Sequence, residues 1–206
     1  TVARETERIL RSPELRAAMA GTGQRMVDGH GAPRVVAEMI GRPVVRVRPA
    51  RKEDRRPLFD WANDPLTRAM SFHPEPISWT EHERWFQRVT ARAGAQLLIA
   101  EVEQVEGWEP CGQVRIDEDG TVSLAVAPQY RGRRLAVPAL RAAVAAGRRL
   151  DRRELKAFVR PENERSQRVF LQAGFQSAGP AEAGGQPCLS YVYRYPLPAP
   201  EGKGGR

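Results

Sequence analysis

Apolar and polar positions recur along this chain with two different periods, and together they predict an α/β fold. Strands are predicted where apolar residues alternate with polar ones or form short runs, at 44–48, 96–102, 112–116, 122–126, 155–159 and 188–195. Helices are predicted where apolar residues recur every three or four positions, at 52–61, 79–89, 135–150 and 161–173. Residues 63–77 contain Pro65, Pro74 and Pro76 and are predicted to form a long loop.

The two ends of the chain depart from this pattern. Residues 5–39 are predicted to be mostly helical, with Ser12 as an N-cap and Pro13 at the first helical position. The last residues are rich in proline and glycine, and we expect them to be disordered. The sequence therefore predicts a helical extension at 1–42, a main domain at 43–196 and a disordered tail at 197–206.

The turn between the predicted strand 122–126 and the helix after it is the first candidate site. Gly132 lets the main chain approach a ligand, and the free N–H groups at a helix start favour a phosphate or pyrophosphate. Three arginines add charge that can pair with this anion: Arg131, Arg133 and Arg134. An ordinary strand-to-helix connection with a basic rim is the alternative. Because Pro138 lacks an N–H group, we expect the helix to begin near Leu135 or to have a distorted first turn.

A second turn, after the predicted strand 155–159, opens the next helix with a polar run. Pro161 suits a first helical turn, and a glycine is placed where it ends the helix. The motif residues of this segment are Asn163, Ser166, Phe170, Gly174 and Phe175. The first turn, Gln129-Tyr130-Arg131-Gly132-Arg133-Arg134, matches the pattern Q/R-x-x-G-x-G/A except at Arg134. Together the two motifs resemble those of the GNAT acetyltransferases, and the resemblance covers about residues 44–195.

This resemblance implies a mixed, mostly antiparallel central sheet with flanking helices, splayed near Val126 so that acetyl-CoA enters as the co-substrate. The implied cofactor-binding residues are Leu124, Val126, Arg131, Gly132, Arg133, Arg134, Leu135, Ala136, Asn163, Ser166 and Phe170. Many members have a tyrosine that protonates the departing thiolate where this chain has Phe170. That role would therefore fall to another residue, to water or to no group at all.

Residues 61–72 and 77–86 resemble the acceptor side of GNAT enzymes that acetylate nucleotide-linked aminosugars, including those of the pseudaminic acid pathway. The resemblance implies that the acceptor is the 4-amino group of a UDP-linked aminodideoxysugar. The implied substrate-binding residues are Asn63, Arg68, Phe72, Trp79 and His82. Amide and guanidinium groups suit hydroxyls and phosphates, and aromatic rings suit a sugar or base face. Acetylation of a protein N-terminus, or a CoA-binding module without activity, are the alternatives.

The sequence does not single out a general base. The predicted strand 122–126, where relatives often carry a catalytic carboxylate, contains none, so we expect a water chain anchored by another group. The candidates are Glu101, Asp117, His82 and Tyr130, with Glu118, His73, Tyr191 and Tyr193 behind them. The alternative for each acid is a solvated turn or strand edge, for His82 a helix surface, and for each tyrosine a packing role.

Residues 1–42 resemble a different family. Their pattern, which includes Asp28-Gly29-His30-Gly31-Ala32, is similar to the C-terminal tail of nucleotide-sugar enzymes of the glycosyltransferase B type, including a UDP-sugar hydrolase. Since the chain begins at Thr1, we expect it to be part of a longer polypeptide with an upstream sugar-nucleotide enzyme. An ordinary helical hairpin is the alternative.

Composition limits the partners. The 206 residues carry a net charge of +8, which raises nucleic acid as a partner, but the arginines are scattered and form no basic arm. A cofactor and a substrate that both carry pyrophosphate explain the excess charge, so nucleic acid and membrane are not predicted. Cys111 and Cys188 are too few for a disulfide framework, and no cluster has metal-ligand spacing. We expect a cytoplasmic enzyme that needs no metal, and a homodimer stays open.

Overall fold

The computed structural model describes residues 8, 10–15, 17, 19, 43–92, 94–148 and 152–196. The chain divides into two compact units, Thr1–Val44 and Val45–Arg206. In the first unit, Ser12 Oγ accepts a hydrogen bond from the backbone N–H of Leu15 at 3.1 Å, as predicted for an N-cap. The rest of the predicted extension and the predicted tail at 197–206 lie outside the described residues.

The second unit alternates strands and helices. Its strands are β1 (Val45–Pro49), β2 (Gln96–Gln104), β3 (Gly107–Ile116), β4 (Val122–Val126), β5 (Glu154–Val159), β6 (Gln176–Ala183) and β7 (Gln186–Arg194). Its helices are α1 (Arg55–Ala62), α2 (Pro65–Ala69), α3 (Trp79–Ala91), α4 (Ala136–Gly147) and α5 (Glu164–Ala173). Short 3-10 turns precede α1 at Lys52–Asp54 and follow β4 at Pro128–Tyr130.

The strands form two sheets, with the orders β1-β2-β3-β4 and β5-β7-β6. Every strand pair within them is antiparallel. The sheets meet at one isolated parallel bridge, Thr121 to Lys156, just before β4 begins. Beyond that bridge, β4 and β5 run side by side without a ladder and leave a gap toward Val126. The predicted mixed, mostly antiparallel sheet with a split near Val126 is therefore confirmed.

Two buried clusters hold the second unit together, and β2 contributes to both. Leu97 and Ile99 pack in a cluster with Leu58 of α1, whereas Leu98 packs in the other cluster with Leu140 of α4. Successive side chains of a strand point to opposite faces, so β2 is covered by apolar groups on both sides. This double burial explains why its sequence reads as an uninterrupted apolar run.

The predicted long loop at 63–77 is wrong in its first part, because α2 forms there. The Asp64 carboxylate caps this helix by accepting a hydrogen bond from the backbone N–H of Thr67 at 2.9 Å, and Pro65 occupies the first helical position. A short carboxylate cap followed by proline is a helix start that the proline content of the segment obscured.

The helices of the two motifs, α4 and α5, begin directly after their N-cap residues. Leu135 is the N-cap of α4, so Pro138 falls in the first turn, where its missing N–H group breaks no bond. This start confirms the expectation for the helix near Leu135. α5 begins at Glu164 rather than at Pro161, since the Asn163 side chain accepts from the backbone N–H of Ser166 and ends the preceding turn.

Two other predicted bounds need correction. The predicted strand 112–116 is the second half of a longer β3, which pairs with β2 back to Gly107. The predicted helix 52–61 begins with a 3-10 turn, because Asp54 caps that turn by accepting from the backbone N–H of Arg51 at 2.6 Å. Neither feature carries an apolar period that the sequence pattern would reveal.

Candidate active site

The gap between β4 and β5 opens into a cleft of about 880 Å³. Its walls come from β3, β4 and β5, from α2, α3 and α5, and from the segment that joins α2 to α3. A smaller cavity of about 430 Å³ lies between α4 and β7, and none of the motif residues lines it. The larger cleft is therefore the candidate active site, because both sequence motifs open onto it.

The turn after β4 has the backbone shape of an anion cradle. Gly132 and Arg134 have positive φ values of 79° and 59°, and Arg133 lies between them. Within the described residues, no hydrogen bond is formed by the backbone N–H groups from Gly132 to Leu135. Free donors of this kind, followed at once by the N-terminus of α4, favour an anion.

Gly132 is required by its conformation and not by crowding. A Cβ built on it meets no atom within 4 Å, so the space above the turn is open. A side chain would therefore strain the left-handed backbone and occupy the room through which a ligand reaches the free N–H groups. Arg134 adopts the same region as a non-glycine residue, at the position where the motif has glycine or alanine.

The three arginines of this turn have different surroundings. Arg131 lines the cleft, and its guanidinium donates to the Asp64 carboxylate and to Thr67 Oγ1, the latter at 2.9 Å. The hydrogen bond from Arg131 lowers the pKa of Asp64 below its usual value. Arg133 lies over the ring of Tyr130, with its guanidinium carbon 5.3 Å from the ring centroid. Of the predicted turn residues, Arg131 and Ala136 line the cleft, and Gly132, Arg133, Arg134 and Leu135 do not.

The second motif lines the opposite wall. Asn163 and Ser166, which form the cap of α5, both face the cleft, as does Phe170 one turn further along. Phe170 is otherwise buried, since its ring packs edge-on against Phe175 at 5.1 Å and stacks on Tyr191 at 6.1 Å. Leu124 and Val126 of β4 complete this side of the cleft.

The structure brings three of the five predicted acceptor residues to the cleft: Arg68, Phe72 and His82. Asn63 does not line it. Its Nδ2 donates to the backbone carbonyl of Ile77 at 3.0 Å, its Oδ1 accepts from the backbone N–H of Ile77 at 2.8 Å, and these two bonds join the ends of the segment 63–77. Trp79 does not line it either, since its ring packs edge-on against Phe59 at 5.2 Å. Arg68 holds the segment as well, donating to the backbone carbonyls of Ala62 and His73.

Three of the four candidate catalytic residues lie outside the cleft. Glu101 is 5% exposed, and its two oxygens accept from Arg46 Nε and Arg48 Nε at 2.8 and 2.7 Å. Asp117 pairs with Arg115 at 3.1 Å in the turn after β3. Tyr130 donates to the Glu109 carboxylate, and this hydrogen bond, with burial, raises the pKa of the phenol to about 12. Among the further acids, Glu118 lies 3.9 Å from Arg92 on the surface. Each of these groups has a structural partner that the sequence could not identify.

His82 is the exception among these four, and of the further candidates His73 also lines the cleft. His82 lines the cleft and is 1% exposed, so the alternative of a helix-surface position is wrong. Its Nε2 lies 2.9 Å from the backbone carbonyl of Arg55, and because a carbonyl only accepts, Nε2 carries the hydrogen and Nδ1 keeps the lone pair. Burial lowers the pKa of the imidazole below 6.5. A neutral imidazole with one defined acceptor nitrogen can take a proton from an incoming amine or a water.

Trp85, an aromatic residue of the predicted acceptor segment 77–86, also lines the cleft. The structure adds cleft residues to which the sequence assigned no role: Arg88, Gln113, Arg115, Ser123, Arg160 and Arg165. Their signals were present as alternate positions on β3 and as the three-residue spacing from His82 along α3. Six arginines and two glutamates line the cleft, and no aspartate does. Three of these arginines pair with acids outside the lining, Arg131 with Asp64, Arg115 with Asp117 and Arg160 with Glu162, so the cleft keeps a smaller excess of positive charge.

Neither a metal centre nor a membrane span is found in the part of the chain that the structure describes. No group of three or more His, Cys, Asp or Glu residues there is placed to hold a metal ion. None of the described helices is long and apolar enough to cross a membrane.

Comparison with known proteins identifies a family that has this architecture. The profile of the family described as Acetyltransferase (GNAT) domain matches residues 45–176. No match is found among the curated proteins.

Solved structures share the fold at low sequence identity. A domain from Methanocaldococcus jannaschii DSM 2661 superposes with a TM-score of 0.65 at 16% identity, over 74% of this chain and 99% of that one. The aminoglycoside acetyltransferase AAC(6')-Ib in complex with coenzyme A and kanamycin gives 0.62 at 19%, over 73% and 95%. Spermidine N-acetyltransferase from Vibrio cholerae in complex with CoA and spermine gives 0.61 at 16%, also over 73% and 95%. At these identities the likeness shows the fold.

Proposed function

The chain belongs to the GNAT acetyltransferase family, and from this premise we propose that the cleft between β4 and β5 is where acetyl-CoA and an amine meet. The protein is an acetyl-CoA-dependent N-acetyltransferase, and acetyl-CoA is its co-substrate. The observation that carries the proposed location is the row of free N–H donors after β4, directly beside the gap in the sheet.

We propose that the turn 131–136 holds the pyrophosphate of acetyl-CoA. Backbone donors and the positive end of α4 converge on the open space above Gly132. The pantetheine would then follow the gap along Leu124 and Val126, whose wall faces Asn163, Ser166 and Phe170. Acetyl-CoA supplies a thioester whose acetyl carbon an amine attacks as the carbon–sulfur bond breaks.

His82 is the proton acceptor that we propose for this reaction. The attacking nitrogen must lose a proton, and His82 Nδ1 is the acceptor nitrogen of a neutral, buried imidazole at the cleft. We do not assign this role to either glutamate of the wall, because Glu81 bonds the cap residue Ser78 and Glu75 is exposed to solvent, whereas His82 is buried. The cleft residue Phe170 has no proton to give the thiolate, and a thiol with a pKa near 8.5 leaves at neutral pH without obligatory protonation.

For the acceptor we propose the 4-amino group of a UDP-linked aminodideoxysugar. The cationic lining suits a molecule that carries a pyrophosphate, and Phe72 and Trp85 offer rings against which a sugar or base can pack. The excess of arginines over glutamates disfavours the alternative of a protein N-terminus in an acidic groove, and it also disfavours polycations.

The test is CoA release, followed with a thiol reagent, from the complete chain and acetyl-CoA. We expect turnover with a UDP-linked 4-amino-4,6-dideoxysugar and none with UDP-N-acetylglucosamine, which has the same diphosphate and no free amine. Turnover with kanamycin, spermine or peptides in place of the aminosugar would overturn the proposed acceptor. Failure of the folded protein to bind acetyl-CoA would overturn the proposed cleft.

A further inference from the structure

The wall of the cleft formed by β3 contains two polar atoms that are buried and lack a partner. Gln113 Oε1 and Arg115 Nε are both inaccessible to solvent and form no hydrogen bond within the described residues. Both side chains line the cleft. A buried acceptor and a buried donor without partners are costly in a folded protein, and each calls for an explanation such as a catalytic role or a bound water or ion.

These two atoms are spaced along one face of the sheet. Residues 113 and 115 alternate on β3, which puts their side chains on the same side and roughly 7 Å apart. Gln113 pairs across the ladder with Ala125, between Leu124 and Val126, and Arg115 pairs with Ser123. Gln113 therefore lies beside the strand along which we propose that the thioester runs, and Arg115 lies further from it.

A second arginine lines the same cleft as Arg115. Arg88 of α3 also lines the cleft and forms no ion pair with any described residue. Arg115 is partly neutralised by Asp117 through Nη2, and its guanidinium carbon lies 6.0 Å from the centroid of the Trp85 ring, one turn before Arg88 on α3. The arrangement leaves Arg115 Nε without a hydrogen-bond acceptor and the Arg88 guanidinium without an ionic partner among the described residues.

We propose that Gln113, Arg115 and Arg88 form an acceptor subsite that recognises an amine and an anionic oxygen in the same molecule. The Gln113 carbonyl accepts an N–H of the amine and aims its lone pair at the thioester. The two arginines bind a phosphate or carboxylate oxygen of the acceptor on the side away from the thioester. This inference rests on the proposed function and adds to it the residues that select the acceptor.

The subsite also explains which amines are rejected. Only two glutamates of the described residues line the cleft, and the Glu81 carboxylate is bonded to Ser78, so Glu75 alone is left of the lining carboxylates to receive a second or third ammonium group. A polyamine or an aminoglycoside would place its additional positive charges near Arg88 and Arg115. Like charges in a partly dry cleft repel strongly enough to set specificity.

The experiment compares two probes that share one amine: a UDP-linked 4-amino-4,6-dideoxy-N-acetylglucosamine and the same sugar without UDP. With saturating acetyl-CoA, we expect the wild-type kcat/KM to be at least about tenfold higher for the UDP-linked sugar, as hydrogen bonds to charged groups predict. In R88Q and R115Q, this ratio should fall toward one through a higher KM, with kcat and the acetyl-CoA KM little changed.

Two controls keep a structural effect apart from recognition. R84Q removes an exposed arginine one turn earlier on α3 that does not line the cleft, and it should keep the ratio of the two kcat/KM values.

Q113L should lower kcat for both sugars about equally, and Q113E, which retains an accepting oxygen, should recover kcat in part. Calorimetry of the UDP-linked sugar with CoA-loaded protein gives the same comparison without turnover, and R88Q should bind it about tenfold more weakly than R84Q.

The outcomes separate the inference from the function on which it rests. Equal kcat/KM for the two sugars in the wild type, or an unchanged ratio in both arginine variants, would overturn the subsite and leave the proposed function standing. Turnover of kanamycin or spermine with neither sugar accepted would overturn the subsite and the proposed acceptor together. Binding of acetyl-CoA with no turnover of any amine would overturn both and leave only the cofactor cleft.

Discussion

The two halves of the cleft are built in different ways. The donor half, which comprises the turn 127–136 with β4 and the start of α5, offers backbone N–H groups and a helix N-terminus. The acceptor half, which comprises residues 63–88 and the cleft face of β3, offers side chains held by other side chains and by distant carbonyls. The donor half thus depends on local conformation, and the acceptor half depends on tertiary contacts.

This difference matters for what a substitution can change. A backbone cradle binds any molecule with the right anion, so it suits a co-substrate that a whole family shares. A side-chain wall can be altered one residue at a time without disturbing the cradle. One ion pair joins the two halves, from Arg131 in the donor turn to Asp64, the cap of α2. The predictions below test each half and then the pair that links them.

The largest effect is expected at His82 in the acceptor half. His82→Gln removes the proposed proton acceptor, and kcat should fall by about 10²–10⁴-fold while acetyl-CoA binding stays the same. Because burial lowers the pKa of His82 below 6.5, the imidazole is neutral at pH 7 and gains its proton as the pH falls through that lowered value. The wild-type rate should therefore show an acidic limb below pH 6.5 that the variant lacks. An identical pH profile in both proteins would contradict the role.

Gly132→Val should break the donor half. The left-handed φ of 79° strains a β-branched residue, and the new side chain enters the open space above the turn, so the acetyl-CoA Kd should rise at least roughly tenfold by calorimetry. Gly179→Val is the matched control, since Gly179 has a φ of 93°, equally open surroundings and a place outside the cleft. Equal acetyl-CoA affinity in the two folded variants would remove the basis for the pyrophosphate site.

Asp64→Asn tests the pair that links the halves. Asparagine still caps α2, so the change removes the charge and keeps the helix start. We expect the acceptor KM to rise severalfold, on the order of 1 kcal/mol, with acetyl-CoA affinity retained or improved as Arg131 is released. Asp60→Asn, which breaks an exposed pair with Arg56, should change neither constant.

The same pair has a pH signature in stability. Arg131 lowers the pKa of Asp64 below the ordinary 3.8, so the folded state holds the carboxylate more strongly than the unfolded chain does. Its contribution is complete above pH 3.8 and is lost as the pH falls through the lowered value. The difference in unfolding free energy between wild type and Asp64→Asn should shrink on acidification below pH 3.8. A constant difference down to strong acid would contradict the pairing.

Phe170→Tyr should have a modest effect. The sequence resemblance implies a tyrosine proton donor at the position of Phe170, and a hydroxyl there should raise the rate within roughly tenfold, about 1.4 kcal/mol of barrier. Phe175→Tyr adds a hydroxyl to the ring that packs against Phe170 but does not line the cleft, and it should not accelerate the reaction. If turnover is detected only in Phe170→Tyr, then the reaction requires a proton donor that the wild-type protein does not have at this position.

The smallest effect is expected from removing residues 1–42. Residues 45–206 form a compact unit of their own, and every residue named in either half of the cleft lies within it. A protein that begins at Pro43 should keep kcat and both KM values within about twofold, as expected when no transition-state contact is lost. Bound acetyl-CoA with turnover abolished would show that the segment completes the site.

The sequence by itself determined the donor half. Gly132, the polar start of α5 and the helix start at Leu135 are local features, since a cap or a left-handed turn is set by a few neighbouring residues. The split sheet followed from the resemblance that these motifs carried. The order of strands and helices was predictable because apolar periodicity is also local. α2 was not predicted, because a five-residue helix is too short to show a period.

Only the tertiary structure decided the acceptor half. His82 and Arg55 lie 27 residues apart, Asn63 and Ile77 lie 14 apart, and Arg131 and Asp64 lie 67 apart, so no local pattern indicates that they pair. By sequence, Glu101 and Tyr130 could be either catalytic or structural. The structure shows that their side chains bond Arg48 and Glu109, which lie on other strands. Whether a polar side chain binds a ligand or the protein depends on what lies within about 3 Å, and folding alone sets that distance.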